Sequence, residues 1–244
     1  MAEGTARSTG SRAATAVPVE VLEWWRTGER MLATAVGRLT DEEFAAPSLL
    51  PGWSRSHVLG HVAGNADALV NLLTWARTGA ETPMYPSPEE RDARIEEVSA
   101  LAPDQLRTAV LAATQRLADA VRATPAEAWS AEVRTFSGRP VPAAEVPWMR
   151  CREVYVHAVD LAVGIEFGDV PEDVLAALVD DVFRMWDVRD EVPDVALFAG
   201  DREWGTGALA VAGTLPAVTA WVTGRSTGQD LQADGVLPTL TPWL

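Results

Sequence analysis

A chain of 244 residues with 48 % hydrophobic residues can bury a sizeable core, as one large domain or two small ones, and is too apolar to be disordered throughout. Its formal charge of −15 argues against a nucleic-acid partner, which needs clustered Lys and Arg. No apolar run is long enough to span a membrane, the opening MAEGTARSTGSRAATA has no apolar stretch of a secretory signal, and the single cysteine, Cys151, excludes an intramolecular disulfide; these features predict a cytoplasmic protein.

Residues 1–16 read as a disordered tail. From Val19 to Thr40, Val21, Leu22, Trp25, Leu32, Val36 and Leu39 fall within an arc of about 100°, which predicts an amphipathic helix. After a loop with Pro47, Pro51 and Gly52, Ser54 or Ser56 caps a second helix that Gly79 closes. GAETPMYPSPEE contains three prolines and reads as a structured loop or an extended crossing. A short charged helix over Glu89–Ala100 precedes a long one that starts at Pro103. SAEVRTFSGRPVP is turn-rich, a short hairpin or only a loop. A fourth long helix is predicted from about Ala143 to Val163, with Pro147 tolerable only in its first turn. Four long amphipathic helices with two long connections predict a mostly α protein, a four-helix bundle with crossover connections over 17–166. The pattern then changes. A helix in PEDVLAALVDDVFRMWDV, strand-like VALFAG and ALAVAG, and a short helix ending at Gly224 predict a small α+β C-terminal domain over 170–244.

Chemistry concentrates on the fourth helix. In WMRCREVYVHAVDL, with Glu153 at zero, His157 lies at about 40°, Asp160 at about −20° and Arg150 at about 60°, one charged stripe on an otherwise apolar helix. The second helix carries a matching stripe, with His57 at about −40° from His61 and Asn65 at about 40°. Facing stripes in a bundle commonly build metal sites. His61 with Glu153 and His157 would give two imidazoles, one carboxylate and a free coordination position, a set that suits catalytic zinc and also non-haem iron. His57 could replace His61 or stand behind it. The same groups could equally form a hydrogen-bonded polar core without a metal. Cys151 lies about 160° from Glu153 and lacks an activating base, so it reads as a core residue. Arg150 reads as the structural ion-pair partner of a carboxylate such as Glu153, with a cation for an anionic substrate as the alternative. Trp53 and Trp148, near the starts of the two helices, are candidates for the cavity wall.

LLPGWSRSHVLGHVAGNADAL, the loop TGAETPMYPSPEER, and WMRCREVYVHAVDL with its FGDVPE continuation resemble the mycothiol-dependent maleylpyruvate isomerases, within the wider DinB-like metal-binding four-helix superfamily. The resemblance covers nearly the whole chain after the tail. It implies zinc held by His61, Glu153 and His157, with His57 off the metal, mycothiol as cofactor, and Arg225 as a catalytic arginine from the C-terminal part. It also implies cis–trans isomerisation of maleylpyruvate to fumarylpyruvate, in gentisate-type aromatic degradation. A thiolate that adds to the alkene makes the bond single, and loss of the thiolate after rotation leaves the trans product. Partners are then a small dicarboxylate and a low-molecular-weight thiol, with no nucleic acid and no membrane. The oligomeric state stays open, a monomer included. The competing readings are a mycothiol S-transferase and a non-catalytic, metal-stabilised stress protein with a closed site.

Overall fold

The computed structural model describes residues 16–243, so all but the last residue of the expected tail lies outside the described residues. In chain order the helices are α1 (Val19–Arg38), α2 (Arg55–Thr78), α3 (Pro88–Ser99), α4 (Pro103–Ala123) and α5 (Val146–Asp160), then α6 (Glu172–Val188) and α7 (Leu215–Val222). Strands β1 (Glu132–Arg134) and β2 (Pro140–Pro142) precede α5, and β3 (Val195–Ala199), β4 (Arg202–Trp204), β5 (Leu209–Ala212) and β6 (Gln232–Ala233) follow α6.

Local chemistry sets the boundaries. Ser54, and not Ser56, caps α2: its hydroxyl accepts from the His57 backbone N–H at 3.3 Å. Gly79, at φ +73°, closes the helix in the left-handed conformation. Pro147 falls in the first turn of α5, where its missing N–H costs nothing. The expected extension of α5 to Val163 is corrected: the helix stops at Asp160. Groups from other segments take the carbonyls beyond that point. Arg55 donates from Nε to Leu161 O at 2.7 Å and from Nη2 to Ala162 O at 2.9 Å, and Leu49 N donates to Asp160 O at 2.9 Å. The turn-rich segment between α4 and α5 is a hairpin, with Val133 opposite Val141.

The long helices α1, α2, α4 and α5 form a mostly α bundle. Consecutive α1 and α2 each pack on α5, and α2 packs in turn on α4, so the first connection is a crossover, as predicted. The approach of α1 to α5 requires Gly28: a Cβ there would sit 2.5 Å from Val154 Cγ2. Arg150 joins all four helices from α5. It is fully buried and donates to Glu29 on α1, to Val62 O and Asn65 on α2, and to Thr114 on α4.

After the bundle comes a small α+β arrangement. Its sheet has the order β4-β3-β5-β6, with β3 and β5 parallel and the outer pairs antiparallel. The expected strands are β3 and β5; β4 and β6 are too short to carry a readable alternation. Helices α6 and α7 pack on each other, and α7 also packs on β3. Trp24 of α1 donates to Asp173 of α6 at 2.6 Å, and Arg152 of α5 donates to Asp181 of α6 at 2.9 Å. No helix among the described residues is long and apolar enough to cross a membrane.

Candidate metal centre

The capping of α2 aims His61, two turns in, toward the middle of α5, where Glu153 and His157 stand one turn apart. The three side chains converge. Glu153 Oε2 lies 2.9 Å from His61 Nε2 and 3.2 Å from His157 Nε2, and one ligand atom from each residue fits within 4.8 Å of the others. The imidazole rings meet edge to face, with centroids 4.8 Å apart.

Asp160, fully buried and one turn beyond His157, accepts from His157 Nδ1 at 2.8 Å. That bond holds a proton on Nδ1 and turns Nε2 toward the Glu153 carboxylate. With Nδ1 held by Asp160, the proton that Nε2 shares with Glu153 is the one a metal ion would replace, and the two imidazole nitrogens and the carboxylate are a donor set that suits a cation. The titration properties agree with a centre built around charge. Burial would raise the Glu153 carboxyl, yet the hydrogen bonds from His157 and His61 hold it well below the usual carboxylate range. Burial lowers His61, with help from the charges of His157 and Arg91. At His157 burial also acts to lower, but the bonds to Asp160 and Glu153 prevail and raise it.

His57 does not join them. Its Nδ1 sits 2.6 Å from Ser54 Oγ, within the α2 cap, and its Nε2 faces Glu96 of α3 at 3.5 Å. Arg150 pairs with Glu29 and not with Glu153, at 2.8 Å, because its long side chain reaches past the stripe into the bundle centre. Asn65 spends its oxygen on Arg150. Cys151 faces α1, donating to Val21 O at 3.4 Å; burial pushes its thiol far up, which leaves it inert. Trp53 packs its edge against His61 at 5.7 Å, whereas Trp148 packs on Trp24 instead of the cavity.

A cavity of about 1010 Å³ opens on the centre, with His61, Glu153 and His157 in its wall. Among the described residues five arginines line it (Arg91, Arg139, Arg152, Arg189 and Arg225) against one carboxylate side chain, Glu153. Within a chain of net charge −15 this is a local reversal of sign, suited to an anion. Arg225 follows α7 and meets the centre through Asp160, donating from Nε at 3.1 Å and from Nη2 at 2.9 Å. One edge of its guanidinium is thus held by Asp160; its remaining N–H groups are on Nη1, which donates to Thr223 O at 2.6 Å, and on Nη2.

The N-terminal domain model of mycothiol maleylpyruvate isomerase matches residues 25–162. The chain belongs to the mycothiol maleylpyruvate isomerase family. A crystal structure of the mycothiol-dependent maleylpyruvate isomerase is similar at 38 % identity and a TM-score of 0.87, over 92 % of this chain and 96 % of that one. A histidine-to-alanine mutant of the same enzyme matches at 38 % identity and a TM-score of 0.86, with the same coverage. No curated protein matches the chain at a significant level. The family fold, a DinB-like bundle followed by a small α+β part, is the one found here.

Sequence reasoning placed Asp160 on the stripe without a role; its spacing of three from His157 was the signal available. Arg91, Arg139 and Arg152 carried no such signal, because their neighbours come from elsewhere in the chain. Arg91 Nη2 lies 3.5 Å from His61 Nδ1, and its guanidinium covers the rings of Tyr85 and Phe136.

Proposed function

We propose that the chain is a mycothiol-dependent cis–trans isomerase that converts maleylpyruvate to fumarylpyruvate, with zinc held by His61, Glu153 and His157. The observation that supports this reading is the arginine-lined cavity opening on a His–Glu–His centre with no fourth ligating side chain grouped with it among the described residues, in a chain 38 % identical to the isomerase over nearly its full length. The bound cation would hold a thiol as its thiolate, and reversible addition of that thiolate to the alkene permits rotation about the bond. The chain's own residues do the rest. Asp160 fixes the orientation of His157, and Trp53 and Leu50 give the cavity wall apolar surface beside His61. Arg225 is the catalytic arginine of this reading, and Arg91 adds positive charge beside His61. Both favour a dianionic substrate where the chain as a whole repels it. A bundle over 17–166, an α+β unit over 170–244 and a cytoplasmic location belong to the same proposal.

Purified protein supplied with zinc and mycothiol is expected to convert maleylpyruvate to fumarylpyruvate, followed by product analysis. Omission of the thiol should stop the reaction. Conversion at the same rate without any thiol would move the chemistry away from this site, and accumulation of a stable thiol adduct would favour the transferase.

A further inference from the structure

Among the described residues, the buried side-chain nitrogen and oxygen atoms that find no hydrogen-bond partner are three arginine Nε atoms, those of Arg139, Arg152 and Arg189. All three arginines belong to the wall of the same cavity. A buried donor without an acceptor costs on the order of 1–3 kcal/mol, so three in one place mark a feature kept for another reason. Arg189 is the least in need: Glu191 Oε2 lies 2.8 Å from its Nε, off the N–H direction, and its outer nitrogens donate to Pro242 O and Trp243 O. Arg152 and Arg139 differ. Arg152, 7 % exposed, gives one nitrogen to Asp181, a carboxylate it shares with Arg184. Arg139, on the β1–β2 hairpin, has among the described residues one carboxylate within ion-pair distance, Glu145 at 3.9 Å, and Glu145 also faces Arg184 at 3.7 Å. Three guanidiniums thus share two carboxylates, one positive charge in excess. Burial lowers the Arg139 guanidinium below its ordinary value, and the charges of Arg184 and Arg152 add to that.

We propose that Arg139 and Arg152 form the subsite for the carboxylate at the pyruvyl end of the substrate. The assignment rests on the isomerase reading above and extends it to substrate recognition. The alkene must lie at the metal-held sulfur, and the maleyl carboxylate is bonded directly to an alkene carbon, so that end stays by the centre. Arg91 and Arg225 are the cations in contact with the centre there, the first at His61 and the second through Asp160. Three carbon atoms separate the alkene from the pyruvyl carboxylate, which needs a cationic partner that makes no bond to the centre. Arg139 and Arg152 meet that condition. A site that anchors the pyruvyl end leaves the maleyl end to swing as the double bond rotates.

Maleylacetone, with a methyl group where maleylpyruvate has its pyruvyl carboxylate, isolates the contact. In Arg139→Gln, the KM for maleylpyruvate relative to that for maleylacetone is expected to rise by on the order of 10- to 100-fold. Arg139→Lys should recover part of it. Calorimetric titration of fumarylpyruvate into the zinc-loaded protein without thiol should show the same loss of affinity. A KM that moves equally for both compounds, or for neither, overturns the subsite. If the wild type binds fumarylpyruvate and the variant does not, yet no isomerisation occurs, the subsite stands and the isomerase reading falls. Arg152 is left intact in this design because it is itself buried and ties α5 to Asp181 of α6, so its loss would disturb that packing as well as the cavity.

Discussion

The two faces of α5 hold buried arginines two residues apart, and they are handled in opposite ways. Arg150 points into the bundle and places its nitrogens on Glu29, Val62 O, Asn65 and Thr114, groups from three other helices. Arg152 points toward α6 and the cavity, where Asp181 takes one nitrogen and Nε keeps no partner. Burial is nearly equal; satisfaction is not. A completed network holds a scaffold together, whereas an incomplete one beside a cavity is ready for a ligand. Glu153, His157 and Asp160 run between the two faces, so the candidate metal centre is braced by the first and open to the second.

Replacement of His61 by Ala should have the largest effect, removing a ligand from the open side while the α5 brace stays. Activity is expected to fall on the order of a thousandfold and zinc content to fall with it, with the circular dichroism spectrum unchanged. Full activity in that variant would detach the centre from the reaction. Arg150→Met tests the closed side. It leaves the Glu29 carboxylate without its partner in the bundle centre and should cost about 3–5 kcal/mol in denaturant unfolding. Adding Glu29→Gln should recover part of that loss, and no recovery would show that packing, not charge, is at stake. Asp160→Asn sits at the junction of the faces; it weakens the hold on His157 Nδ1 and should lower zinc affinity by about 10- to 100-fold in competition with a chelator. An unchanged affinity would mean that the α5 backbone alone orients the imidazole. Cys151→Ala is the smallest, about 1 kcal/mol from a lost core contact and no change in turnover. A dead enzyme there would bring the protein's own thiol into the reaction.

Much of this was readable from the chain. The bundle helices, a serine cap on α2 at Ser54 or Ser56, the turn at Gly79 and the place of Pro147 follow from residue types with fixed local preferences; the structure chose Ser54. The pairing of Glu153 with His157 follows from one helical turn. Boundaries failed where distant groups intervened, as Arg55 does when it captures the carbonyls after α5. Partners failed for the same reason. Spacing along α5 offers Arg150 the carboxylate of Glu153, but its partner in the fold, Glu29, lies 121 residues away.

By itself the sequence determined which side chains share a helical face, because helix geometry fixes direction within a turn, and it determined that two such faces carry imidazoles. Only the tertiary structure decided which imidazole of α2 reaches Glu153, why His57 stays behind in a cap, and where the cavity arginines lack partners. Those outcomes depend on how helices dock, and docking brings together groups that no spacing along the chain relates.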